Sequence, residues 1–199
     1  KWLDTRDDLF AATPTTTGLR ILLAIGMAKN YTIRVGDFSV AFMHADISDE
    51  DVYCTPPEPW KSRYPGWVWK MNKAMNGFRK APQNFQDFIA GVLTTKLGFT
   101  RGRADPQLFW NKATDVRVSI HVDDPISVGP DEEIEKFFDQ LEKHVLFRRG
   151  DRFNAQSPTK YLGKLYQFRG KELVASLPEK YLPDTMAVLG METCAPVST

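Results

Sequence analysis

The feature that most limits the fold is a strict alternation: Val116, Val118, Ile120 and Val122 interleave with Arg117, Ser119, His121 and Asp123. Asp124 and Pro125 follow, then a second apolar run from Ile126 to Val128. Period-two alternation marks a half-buried strand, because successive side chains leave a strand on opposite faces. Asp124-Pro125 is turn chemistry. The stretch therefore predicts a β-hairpin with aspartates at its tip, and it puts Asp123 on the face opposite Val118, Ile120 and Val122. Pro125 has no amide to donate and is expected to interrupt pairing where the return strand begins.

The flanking elements set this hairpin in an α+β chain. Thr15 to Thr17 followed by LRILLAIGMAKN predicts a capped helix with Leu19, Leu22, Leu23 and Met27 on one face. Tyr31 to Phe42 reads as extended, with Ile33, Val35 and Asp37 on one side. Residues 54–69 hold Pro56, Pro57, Pro59, Pro65 and Gly66 and predict a loop. Phe85, Phe88, Ile89, Val92, Leu93 and Leu97 recur at helical spacing, and Gly98 stands where that helix would end. Asp131 caps a helix whose Ile134, Phe137, Phe138, Leu141 and Val145 share a face. Short strands follow around Tyr161 to Phe168. Read from the first strand, the order β-α-β-β-α-β is the split βαβ, ferredoxin-like arrangement, an antiparallel sheet with helices on one face.

Composition narrows the partners. The 199 residues carry a net charge of +1, so any nucleic-acid surface must be a local basic strip balanced by acidic regions elsewhere. Cys54 and Cys194 lie too far apart for a metal-ligand spacing and read as reduced thiols of an intracellular protein. The longest apolar run, Leu19 to Met27, is broken by Arg20 and Gly26 and falls well short of the ~20 residues of a membrane-spanning helix. The chain opens on Lys1 without a signal peptide and reads as a segment of something longer.

Two adjacent carboxylates repel each other, so burying them without a cation raises at least one pKa. A divalent ion removes that penalty, and magnesium prefers carboxylate oxygens. In the split βαβ order the first strand lies beside the hairpin, which brings Asp37 toward Asp123 and Asp124. Three converging carboxylates suit two-metal phosphoryl transfer. Taken alone, the Asp-Asp pair reads as a plain turn, since aspartate is common in turns.

The surrounding words carry a resemblance. Asp37-Phe-Ser-Val-Ala-Phe-Met-His-Ala-Asp46 is similar to D-V-K-T-A-F-L-H-G-D, the first catalytic motif of copia-type retrotransposon reverse transcriptases. His121-Val-Asp-Asp124 resembles their Y-V-D-D box, and Asn76-Gly-Phe-Arg-Lys-Ala-Pro82 their Y-G-L-K-Q-A-P segment. Tyr53 to Pro59, Ala104 to Phe109, Tyr161-Leu-Gly163 and Cys194-Ala-Pro-Val-Ser-Thr199 resemble further family words, all in order.

The resemblance implies an RNA-directed DNA polymerase of a retrotransposon Pol polyprotein. It makes Asp37, Asp123 and Asp124 a catalytic triad for two Mg2+ ions, with Mn2+ as a substitute. Phe38 is counted with both the metal and the nucleotide. Phe42 would lie under the nucleotide sugar, although core packing explains an aromatic there as well. Gly77 would let the backbone approach the nucleotide, with Asn76, Arg79, Lys80 and His121 around it. The implied layout is a partial fingers or leading helix over 1–30, a palm over 31–170 and the start of a thumb or connection over 171–199. The implied partners are an RNA or DNA template-primer, dNTP, and the fingers and ribonuclease H segments of the same polyprotein, with no membrane.

His121, Asn76, Lys80 and Ser39 depart from the family words. The basic K-A-R-L-V words of the fingers do not occur in the chain, so triphosphate binding by these residues alone is expected to be weak. A truncated, catalytically silent remnant that keeps the palm is the alternative. An RNA-binding module of the same strand order would need aromatics on its open face. Arg117, Ser119, His121 and Asp123 stand there instead. For a carboxylate-pair hydrolase only the acid count speaks.

Overall fold

A computed structural model describes residues 11–47, 51–191 and 193. The alternation forms the hairpin it predicts, with the turn two residues early. β6 (Val116–His121) and β7 (Asp124–Gly129) pair antiparallel from Arg117↔Val128 to His121↔Asp124, which leaves Val122 and Asp123 as a two-residue loop. Val122 takes φ 58°. A positive φ at the first loop position is the signature of a II′ hairpin turn, a place usually held by glycine. Val122 is thus a turn residue, and Asp124 begins the return strand.

Pro125 does not interrupt the pairing. It sits opposite Ile120, whose amide donates to the Gln107 carbonyl at 3.0 Å, away from Pro125. The missing donor of Pro125 therefore faces the strand on its other side.

That strand is β1 (Thr32–Phe38), antiparallel to β7 with Ile33↔Val128 and Val35↔Ile126 in register. Extended backbone ends at Phe38 and does not reach Phe42: Val40 turns to φ 50° and Ala41–His44 forms a 3-10 turn. The sheet is completed by β4 (Thr100–Arg101), β5 (Leu108–Asn111) and β8 (Phe147–Arg152), in the order β4-β5-β6-β7-β1-β8.

Both faces of this sheet carry helices, which corrects the expectation of one helical face. On the first face Val116, Val118, Ile120, Phe109 and Phe38 are buried beneath α3 (Ala81–Gly91) and α4 (Asp131–Leu141). Phe38 meets Phe85 edge-on at 5.5 Å, and Phe147 links Phe38 to Phe138 at 5.5 and 4.9 Å. Each such ring, buried, contributes roughly 1.5–3 kcal/mol. α3 loosens into a π turn over Val92–Lys96 and ends at Gly98, whose φ of 70° is the left-handed stop its sequence position predicts.

The second face is roofed by α1 (Thr16–Ala28), capped by Thr15, whose Oγ1 accepts from the Gly18 amide at 2.9 Å. Gly26 lets α1 lie directly on Ile33 and Val128: a Cβ there would stand 3.0 Å from each. Ser119 and Ile126 are buried on this face, so the part expected to be open at Ser119 is closed.

Residues 54–69 are less irregular than predicted: β2 (Tyr53–Cys54) pairs with β3 (Trp69–Lys70), and α2 (Trp60–Arg63) is a single turn between them. Cys54 carries a free thiol.

The chain divides into compact units over residues 1–150 and 151–199. In the second, β9 (Thr159–Tyr161), β10 (Lys164–Arg169) and β11 (Glu172–Ser176) form an antiparallel sheet, followed by α5 (Tyr181–Val188). Leu162 and Gly163, both at positive φ, make the tight β9–β10 turn that the Tyr-Leu-Gly word foreshadows. Position 170/171, read from sequence as a boundary, lies in the β10–β11 hairpin. The Cys194–Thr199 word lies outside the described residues. No described helix is long and apolar enough to cross a membrane.

Candidate active site

The hairpin and β1 bring the three aspartates together. The Phe38 amide donates to the Asp123 carbonyl at 2.8 Å, and extending the β1–β7 register from Val35↔Ile126 sets Asp37 across from Asp124. Asp123 is exposed at the turn, and Asp37 and Asp124 are half-buried. The Asp124 carboxyl is held above the usual carboxylate range, first by burial, then by the negative charges of Asp123 and Asp37, with His121 opposing. These are the signs of a carboxylate cluster that a cation would relieve.

Two groups attend Asp37: Ser39, marked in the sequence only as a departure from the family word, and Arg148, which the sequence did not flag. The Ser39 hydroxyl donates to Asp37 Oδ2 at 3.2 Å, and Arg148 Nε lies 3.8 Å from the same oxygen. Arg148 is largely exposed, so this pair adds little stability. Its signal in the sequence is only the Arg148-Arg149 pair following Phe147. His44 anchors the backbone beyond the site: its Nε2 accepts from the Leu146 amide at 3.3 Å, and the ring stacks on Phe88.

The remaining expected residues divide. Phe38 is 2% exposed and lies in the core, so it offers the site only main-chain atoms. Phe42 is half-buried, edge-on to Phe85 at 6.4 Å, which satisfies the packing account and leaves part of the ring uncovered. His121 is half-buried and paired with Asp124 across the hairpin. Asn76, Gly77 and Arg79 are exposed, and Lys80 stands at the start of α3. Gly77 takes φ 90° with open space beside it, so the turn itself calls for glycine.

Asp105, the aspartate of the Ala-Asp-Pro word, does not join the triad. It is buried, and its Oδ2 accepts from the amide and hydroxyl of Thr15 at 2.8 and 3.1 Å while Oδ1 accepts from the Gln107 amide. It ties the cap of α1 to the loop before β5.

The oxygen donors of Asp37, Asp123 and Asp124 suit a hard divalent cation. Among the described residues no three acidic, histidine or cysteine side chains close into a ready-made metal cage.

Residues 4–176 match the family of reverse transcriptases (RNA-dependent DNA polymerase). The chain is 26% identical over 201 residues to the retrovirus-related Pol polyprotein from transposon RE2 of Arabidopsis thaliana, and 26% identical over 200 residues to that from transposon RE1. Each alignment covers 96% of this chain and 13% of the relative. A putative transposon Ty5-1 protein of Saccharomyces cerevisiae is 29% identical over 49% of this chain and 32% of its own length. The family match, which spans most of the chain, carries one statement: the chain belongs to the reverse transcriptase family.

Proposed function

We propose that the chain is a polymerase palm that extends a primer on an RNA or DNA template, with Asp37, Asp123 and Asp124 as its metal-binding residues. The observation that carries this is the juxtaposition of the three aspartates: the Phe38 amide donates to the Asp123 carbonyl at 2.8 Å, and the β1–β7 register sets Asp37 across from Asp124. The strand order β8-β1-β7-β6 also suits the split βαβ, ferredoxin-like arrangement of such a palm.

Two Mg2+ ions, or Mn2+ in their place, would supply charge for the attacking and leaving oxygens. The chain's own residues do the placing. Asp123 and Asp124 present carboxylates from the rigid hairpin, and Asp37 presents one from the neighbouring strand. Phe42 offers its uncovered edge as a floor for the sugar. Arg79 and Lys80 set positive charge at the turn before α3 for phosphates. In this reading residues 31–170 work as the palm, 1–30 relate to fingers and 171–199 to a thumb or connection. Template-primer, dNTP, and the fingers and ribonuclease H parts of an intracellular polyprotein are the partners.

Manganese binding, followed by calorimetry, separates this from a silent remnant of the same fold. The wild-type chain is expected to bind Mn2+ and to lose at least tenfold in affinity on Asp123→Asn or Asp37→Asn. Equal binding by both variants would sink the metal-site reading. Primer extension on a homopolymer template then tests the chemistry itself.

A further inference from the structure

The chain has net charge +1, yet from Pro59 to Gln86 it contains no aspartate or glutamate. Lys61, Arg63, Lys70, Lys73, Arg79 and Lys80 fall in that stretch, so the remaining residues are net acidic. The segment also holds three of the five tryptophans, Trp60, Trp67 and Trp69, together with Tyr64.

The fold leaves these rings outside the core. Trp67 is 69% exposed, and Trp60, Tyr64 and Trp69 are exposed as well. They are not scattered. Trp60 stacks on Tyr64 at 5.8 Å and 16°, meets Trp69 edge-on at 6.5 Å, and Tyr64 meets Trp67 at 5.5 Å. Together with Lys70 they border an open cleft of about 510 Å³. The Arg63 guanidinium lies over the Tyr64 ring at 5.7 Å, and Lys61 is exposed beside it. A contiguous exposed aromatic surface marks an interaction site. Asp51 pairs with Lys70 at 2.5 Å and Glu58 accepts from the Ser62 hydroxyl, so Lys61 and Arg63 carry the positive charge beside the rings. Rings with such cations make a surface that stacks bases while neutralising a phosphate backbone.

The surface has a fixed attachment to the aspartate strand. The Ala74 amide donates to Ala45, and Lys73 pairs with Asp46 at 2.7 Å. Both bonds fasten the end of β3 to the turn that follows Asp37.

From this we infer that Trp60, Tyr64, Trp67 and Trp69 form a stacking platform for single-stranded nucleic acid, with Lys61 and Arg63 contacting its phosphates. The platform rests on the polymerase reading only for the source of its strand, the unpaired template. Stacking makes it sequence-tolerant.

The test is tryptophan fluorescence and anisotropy of the whole chain with a fluorescein-labelled dT20 strand, without metal or dNTP. A failure to polymerise therefore leaves it untouched, and a failure here leaves the manganese experiment standing. Binding is expected to quench tryptophan emission. Joint Trp67→Ala and Trp69→Ala substitution should weaken binding by roughly tenfold, about one stacked base, at unchanged salt slope. Joint substitution of the same two residues by Phe should recover most of that loss, which a folding defect would not allow. Lys61→Gln with Arg63→Gln should instead shallow the dependence of log affinity on log salt by about 0.7 per charge removed. Unchanged affinity in the alanine pair overturns the platform. So does quenching by phosphatidylserine vesicles in the absence of quenching by dT20.

Discussion

The amide of Phe38 donates to the carbonyl of Asp123 at 2.8 Å, joining a core aromatic on one strand to the turn that carries the carboxylate pair. The bond holds the end of β1 level with the hairpin tip, so the three aspartates keep their proximity whether or not a cation is present. Their mutual repulsion is then built into the folded state. A carboxyl whose folded pKa is raised binds protons more tightly folded than unfolded. Stability on its account declines as pH rises from the ordinary value of 3.8 through the folded pKa. Asp124→Asn should therefore raise Tm at pH 7 in metal-free buffer, by about 1–3 °C. Magnesium should raise Tm in the wild type and much less in the variant. A Tm that falls in the variant, read by circular dichroism, goes against this account.

Val122 is a second reservoir of strain. A β-branched residue at φ 58° is disfavoured by roughly 1–2 kcal/mol, and asparagine tolerates that region far better. Val122→Asn is expected to stabilise the chain by about 0.5–1 kcal/mol in urea unfolding. A loss of stability would mean that the side chain's packing outweighs its backbone.

Gly36 precedes Asp37 where β1 passes under Phe147. A Cβ at this position would stand 2.3 and 2.5 Å from atoms of the Phe147 ring. Gly36→Ala should destabilise by about 1–3 kcal/mol, as overpacked cores do. The same urea titration reads it, and a neutral result would show that Phe147 moves aside freely.

Asp115 gathers four donors: Lys29 at 2.7 Å, Tyr31 at 2.8 Å, Trp110 at 3.1 Å and Arg117 at 2.7 Å. The Lys29 hydrogen bond foremost holds its carboxyl well below the ordinary 3.8, with Arg117, Tyr31 and Trp110 adding to it against some burial. A depressed folded pKa supplies stability that is present above the unfolded value and lost as pH falls below it. Asp115→Asn should lower Tm by a few °C at pH 7. The gap to the wild type should narrow as pH drops below about 4. A gap independent of pH would assign the effect to shape alone.

What the sequence made legible follows from period. Val116, Val118 and Ile120 announced the central strand, and Phe85, Ile89 and Leu93 the helix beneath it, because burial on one side leaves a repeat. The same repeat hid the second roof. Leu22 and Leu23 show that α1 has an apolar side, yet nothing in that spacing says which sheet face it covers. The turn shift was invisible for a related reason: Val122 is the wrong residue for its backbone, so local preference pointed to Asp124-Pro125. Asp105 was read as part of a family word. Its partner Thr15 lies 90 residues away, beyond any local pattern. The aspartate cluster itself became apparent through the family words, since neither Asp37 nor the Asp-Asp pair exceeds turn chemistry alone.

β6 and β7 lie in the interior of the six-stranded sheet, flanked by β5 and β1. Asp37 and Asp124 thus grow from strands with the least liberty to breathe, while Asp123 stands in the loop between β6 and β7. The amides of Val118, Ile120, Ile126 and Val128 belong among the last to exchange with deuterated water, and the loop of Val122 and Asp123 among the first. Such a contrast gives the tip a fixed foundation under a short, strained lever. Adjustment to a passing substrate then falls to two residues of backbone, while the sheet keeps the aim.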